Sequence, residues 1–104
     1  MEVHVVHQGE IIHRVVLGEQ PLTIGRSRRN EIVLPYKDVS GHHAIISRQS
    51  DRVVIQDLQS SNGTFVNDTR IVQTVPLSVG DRIRLGSAAT LSCLLYTSDA
   101  ADDP

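Results

Sequence analysis

Short apolar segments broken by turn residues recur along the whole chain, and this rhythm limits the fold more than any other feature. Val3-His4-Val5-Val6, residues 11–17, Leu22-Thr23-Ile24, Ile32-Val33-Leu34, His43-Ala44-Ile45-Ile46-Ser47, Val53-Val54-Ile55-Gln56, Thr64-Phe65-Val66, Ile83-Arg84-Leu85 and Thr90-Leu91-Ser92 all carry strand character. No window of about eleven residues holds apolar positions at helical spacing without a Gly or Pro intruding. Strands recurring every roughly 8–12 residues, with turn residues between them, predict an all-β sandwich or barrel. Gln8-Gly9-Glu10 reads as the turn of a first hairpin. A chain of 104 residues is enough for one such domain. Its only aromatics are Tyr36, Phe65 and Tyr96, so Val, Ile and Leu must supply the core.

Several function classes fall away early. No apolar run approaches the roughly 20 residues of a membrane span, so no membrane partner is expected. Met1 leads straight into an alternating segment rather than the basic-then-apolar pattern of a secretory leader. The single cysteine, Cys93, excludes an internal disulfide framework. Together these features predict a cytoplasmic, reducing compartment. The formal net charge of −2 hides a local feature. Asp99, Asp102 and Asp103 fall at the very end, whereas Arg26, Arg28, Arg29 and Lys37 cluster around one acid, Glu31. Such a patch suits phosphate, nucleic acid or solvent alone.

Chemistry concentrates in the inter-strand segments. In Thr23-Ile24-Gly25-Arg26-Ser27, glycine permits an unusual bend and lets the next side chain project from the loop. An arginine there presents a planar fork matched to phosphate oxygens, or is simply solvated. Ser40-Gly41-His42-His43-Ala44 combines a hydroxyl with a loop N–H, a corner that favours oxyanions. A nucleophilic Ser–His pair is the enzymatic alternative, with Asp38 or Asp57 as orienting acid. It lacks the strand–turn–helix context of hydrolases, so no catalysis is expected. In Asp57-Leu58-Gln59-Ser60-Ser61-Asn62-Gly63-Thr64, the Asn-Gly pair reads as a tight hairpin turn, which leaves Asn62 able to engage a peptide backbone. Val79-Gly80-Asp81-Arg82-Ile83 reads as a turn into the penultimate strand.

Taken together, Gly25-Arg26, Ser40-Gly41-His42-His43-Ala44 and Ser60-Ser61-Asn62-Gly63-Thr64 resemble the forkhead-associated (FHA) family, and the resemblance runs from about Val3 to Leu91. Asn30-Glu31-Ile32-Val33-Leu34, Ile55-Gln56-Asp57-Leu58, Val66-Asn67 and residues 80–86 are similar too. The resemblance implies a two-sheet, mostly antiparallel β-sandwich with the binding loops at one end. It further implies a phosphopeptide-binding module that recognises phosphothreonine in a partner protein, such as a Ser/Thr kinase substrate. Arg26 then takes the phosphate-binding arginine position and Ser40 that of the phosphate-bonding serine. Ser61 stands near the phosphate, and Asn62 holds the ligand backbone. Gly25, His43 and Gly63 shape the site, His43 by tying one loop to another. Where many members have Arg, Lys or Asn after the motif serine, this chain has Gly41, which leaves a backbone N–H; Arg28 is the neighbouring group that can compensate.

No cofactor is expected. His4 and His7 are three apart on a strand, and His42 and His43 are adjacent, so neither pair can chelate a metal. Nucleic-acid binding is not expected, because the patch holds few cations and lacks stacking aromatics. Phosphate-independent interaction or self-association on the same fold is the alternative function. From Leu94 to Asp103 the sequence fits no earlier pattern and resembles read-through of a sequencing adapter, so the natural chain is expected to break off near Cys93. The FHA domain is therefore placed at 1–92, with 93–104 as a non-native or disordered tail of a truncated chain.

Overall fold

The computed structural model describes residues 2–86 and 91–96, the last six through their backbone only. Eleven strands form among them: β1 (Glu2–His7), β2 (Glu10–Val16), β3 (Leu22–Gly25), β4 (Ile32–Val33), β5 (Ala44–Gln49), β6 (Arg52–Asp57), β7 (Thr64–Val66), β8 (Thr69–Arg70), β9 (Val75–Leu77), β10 (Arg82–Leu85) and β11 (Leu91–Tyr96). They make two sheets, in the orders β2-β1-β11-β10-β7-β8 and β4-β3-β5-β6-β9. Every pairing is antiparallel except that of β3 with β4, where Ile24 lies beside Ile32. The expected all-β sandwich is what the chain forms.

Alternation explains why these segments stack face to face. Val3 and Val5 of β1 and Ile83 and Leu85 of β10 point inward from one sheet. They meet Leu22, Ile24, Ile32, Ala44, Ile46 and Ile55 of the other. Each fully buried Val, Ile or Leu contributes about 1.5–3 kcal/mol relative to exposure. The period-2 pattern therefore selects this register over a one-residue slip, which would turn the whole set outward.

One point differs from the sequence expectation. Asn62-Gly63 is not a hairpin turn: it lies between β6 and β7, which belong to different sheets, so the segment is an inter-sheet crossing. The tight hairpin comes next instead, at Asn67-Asp68, both with positive φ (50° and 70°), linking Val66 to its partner Thr69. The domain end expected at residue 92 falls inside β11, which continues to Tyr96. Cys93 pairs there with Val5 of β1 on one side and Ile83 of β10 on the other. The rest of the expected tail, 97–104, lies outside the described residues.

The site is positioned by strand ends. Ile24, Ala44 and Asp57 are neighbours across β3, β5 and β6, so three loops emerge side by side: 26–31, 34–43 and 58–63. At the β7–β8 turn, Asp68→Gly relieves a left-handed conformation worth about 1 kcal/mol, partly offset by glycine's larger unfolded-state entropy. Thermal unfolding is expected to show a gain of about 0.5 kcal/mol.

Candidate functional site

Backbone contact holds the first two loops together. The Arg26 N–H donates to Ser40 O at 2.9 Å and the Ser27 N–H to Gly41 O at 3.1 Å. This approach leaves no room at Gly25, where a Cβ would overlap Gly41 O and stand 2.7 Å from Asn30 Nδ2. Glycine is required here by space. Asn30, almost fully buried, completes the seam: its Nδ2 donates to Ser27 O (2.8 Å) and to Gly41 O (2.7 Å). Its Oδ1 accepts from His42 Nδ1 at 3.2 Å.

His43 ties in the third loop. It is fully buried, just before β5. The Ser40 N–H donates to its Nδ1 at 3.0 Å, so Nε2 carries the hydrogen and donates to Gly63 O at 2.8 Å. Ser61 N–H also reaches across to Ser40 Oγ at 3.0 Å, and Asn62 Nδ2 to Asp38 O at 3.0 Å. Beneath this loop Asp57 acts as a clasp. Its Oδ1 accepts from the Ser60 hydroxyl (2.5 Å) and the Thr64 hydroxyl (2.7 Å), and its Oδ2 from the Ser60 N–H (3.1 Å). Ser60 Oγ in turn accepts from the Gly63 N–H at 3.0 Å.

The buried His43 and the half-buried Asp57 shift in the same direction. Burial pulls the His43 imidazole below the ordinary histidine value, although the Gly63 carbonyl and Asp57 oppose this. Burial pushes the Asp57 carboxyl up, but the Ser60 and Thr64 hydroxyls, the Ser60 N–H and His43 outweigh it and hold the carboxyl below its usual range. His43 is therefore neutral and Asp57 ionised in the working fold.

Above this frame stand Arg26, Arg28, Ser61 and Asn62, all exposed, with Ser40 and Gly41 half-buried between them. The structure thus brings all six expected ligand-facing residues to one end. No carboxylate among the described residues pairs with Arg26 or Arg28. A Cβ on Gly41 would meet nothing within 4 Å, so the space beside Ser40 is open. The donor set is a pair of guanidinium groups, a hydroxyl and loop N–H groups, which is receptive to an anion. Two grooves lie at the opposite strand ends, one bordered by Glu19, Arg48, Ser50 and Asp51 and the other by Asp51, Arg52, Pro76 and Ser78. Neither includes an expected site residue. Asn30 and the Asp57–Ser60 clasp were not singled out as site residues from the sequence, although an Asp followed at three by Ser is a known turn signal.

The FHA domain family profile matches residues 22–86, which include every loop described. The chain belongs to the FHA family. It is 48% identical over 62 residues to the transcriptional regulatory protein EmbR of Mycobacterium tuberculosis, covering 60% of this chain and 16% of EmbR. It is 33% identical over 76 residues to FhaB of the same organism, covering 73% of this chain and 49% of FhaB. The FHA chain thus spans less than half the length of either relative. The solved structure of M. tuberculosis EmbR in complex with a low-affinity phosphopeptide superposes with a TM-score of 0.74 at 32% identity, over 91% of this chain and 24% of that one. An FHA structure from a study of phosphothreonine-dependent FHA interactions gives 0.72 at 28% identity, over 93% and 97%. FHA domains are binding modules.

Two outcomes follow from the frame. Gly25→Ala forces Gly41 O to move and is expected to destabilise the domain by about 2–3 kcal/mol in urea unfolding. The unfolded chain binds a proton at His43 near pH 6.5 while the native state resists it. Stability is therefore full above that value and declines as pH falls through it, with Asp57 adding a second decline of the same sign in the acid carboxylate range. Melting curves between pH 8 and pH 4.5 are expected to show a weaker decline below pH 6.5 in His43→Asn, starting from a lower Tm.

Proposed function

We propose that this domain binds a phosphothreonine-containing segment of a partner protein at its three converging loops. The observation that carries this reading is the seam that sets Arg26, Ser40, Ser61 and Asn62 side by side, with no carboxylate among the described residues paired to the arginine. The phosphopeptide complex of the related EmbR and the phosphothreonine-dependent interactions of its structural neighbour support it.

A phosphate monoester carries about −1.5 to −2 charge at neutral pH and needs charged donors at fixed positions. Arg26 supplies the charge and its loop is fixed through its own N–H, so little order remains to be imposed on binding. Ser40 Oγ accepts from Ser61 N–H, which turns its hydroxyl hydrogen outward for a phosphate oxygen. Asn62 spends its Nδ2 on Asp38 O; its amide oxygen is the atom that accepts from the ligand backbone. Gly41 offers an N–H, and Arg28 a second charge from the neighbouring loop.

The same geometry argues against hydrolysis. His43 contacts the Ser40 backbone N–H rather than its hydroxyl, and its other nitrogen is held by Gly63 O. Asp57 is committed to Ser60 and Thr64 rather than to a His43–Ser40 pair. No helix among the described residues is long and apolar enough to cross a membrane. A cytoplasmic setting accords with the single cysteine and with a ligand made by Ser/Thr kinases. The functional unit is the FHA domain of residues 1–92, with 93–104 outside its binding role.

Self-association is the second reading, favoured by the exposure of Ile11, Ile12 and Val16 on edge strand β2. The register shift opposite Val5 and Val6 leaves Ile12 as an extra residue, and such a bulge hinders edge-to-edge pairing.

Calorimetric titration with a phosphothreonine peptide and its dephosphorylated twin tests the reading; equal affinity for the two overturns it. Arg26→Ala is expected to lower affinity on the order of 100-fold and Arg28→Ala severalfold, since each charged hydrogen bond is worth about 1.5–3 kcal/mol. Gly41→Asn or Gly41→Arg, placed in open space, is expected to strengthen binding.

A further inference from the structure

One basic residue at the same end stands apart from the groups proposed to hold the phosphate. Arg70 belongs to edge strand β8 and lies opposite Phe65 of β7, so both side chains stand on the outer face of the six-stranded sheet. Gly63 is two residues before Phe65 and shares that face. The Arg70 side chain folds back over it: a Cβ on Gly63 would lie 2.8 Å from Arg70 Nε, 3.0 Å from Cζ and 3.3 Å from Cδ. Gly63 already needs glycine for its φ of +90°. The missing side chain leaves a shelf, and the arginine occupies it.

The guanidinium on that shelf is exposed, and among the described residues it has no carboxylate partner and no hydrogen-bond partner. The shelf adjoins Asn62 along the chain, on the side of the site away from Arg26 and Arg28. Across Phe65, Arg84 lies over the ring at 4.3 Å from its centroid. An arginine in open solvent would be mobile, and ordering it costs entropy unless contacts limit its freedom. Here the glycine shelf limits it, while its fork of donors stays open. Such a fork matches a carboxylate in two parallel bonds.

We propose that Arg70 is a specificity-determining residue that reads an acidic side chain, Asp or Glu, in the flank of the ligand that passes over Asn62 and Gly63. The inference rests on the phosphopeptide reading and adds a second anchoring point to it. Arg26 draws the phosphate, and Arg70 selects among phosphorylated segments by their neighbouring charge.

The test uses phosphothreonine peptides that are neutral apart from one Asp, moved in turn from four residues before the phosphothreonine to four after. Each is compared with the same peptide bearing Asn, by titration against the full chain. The Asp-to-Asn affinity ratio is expected to reach roughly threefold to tenfold at one position, or two close together, on one flank. It is expected to fall to near one in Arg70→Gln and to recover in part in Arg70→Lys. Reading a ratio within each variant cancels any general loss of affinity or fold. A ratio that stays high in Arg70→Gln, or that is flat in the wild type while phosphothreonine binding itself is intact, overturns the inference and leaves the phosphopeptide reading standing. Failure of every phosphopeptide, with Arg26→Ala indistinguishable from wild type, overturns both.

Discussion

A neutral, buried imidazole is the point on which the binding end depends. His43 accepts from the backbone of one loop and donates to the backbone of another, so its two ring nitrogens join the loops directly. A buried N–H left without a partner costs about 1–3 kcal/mol, and His43 satisfies that of Ser40, while at Gly63 O it joins the Gly86 N–H, which donates there at 2.8 Å. Lysine or arginine could not do this, since neither accepts a hydrogen bond. Its neutrality is equally required: a protonated ring would turn two donors toward Ser40 N–H and Gly63 O, and the first contact would become repulsive. Burial enforces the neutral form, and in this respect the low dielectric of the core takes part in shaping an exposed site.

Around that point the frame is built in layers that divide the labour. Asn30 and Asp57 hold the outer two loops by closing bonds onto backbone groups, and neither presents its side chain to the ligand side. The exposed residues then have few structural duties. The Arg26 and Arg28 side chains are unpaired by any described carboxylate, while the backbone of Arg26 is fixed by Ser40. Separation of holding from reading explains how loops, ordinarily the mobile part of a β-sandwich, can present donors at reproducible positions.

Much of this was legible in the residues themselves. Alternating Val, Ile and Leu announced most of the strands, and the three loop motifs pointed to one family and to one end of the fold. What escaped was short or non-local. Thr69-Arg70 is a two-residue exposed strand with no apolar alternation, and Val75-Pro76-Leu77 contains a proline that argues against a strand in isolation. Asn62-Gly63 carries the strongest local hairpin signal, yet the next strand joins the other sheet, and no local rule says which sheet a strand will join. Past the change of pattern after Cys93 the backbone continues to pair through Tyr96, between β1 and β10. Asn30 was visible only as part of a family stretch; its partners, Ser27 O and Gly41 O, meet only once β3 and β5 have paired.

The close approach at Gly25 also shapes how such a domain can change over time. Because Gly41 O and the Asn30 amide both occupy the space a side chain would need, position 25 cannot be altered alone. A viable replacement requires the neighbouring loop to retreat, and that retreat withdraws Ser40 from the place where it meets Ser61. Substitutions in the three loops are therefore strongly epistatic, with intermediates less fit than either endpoint. Position 41, by contrast, opens onto empty space, and a lineage can vary it freely. Ligand strength can thus drift by single steps at the rim while the seam beneath is locked by the cost of every path out of it.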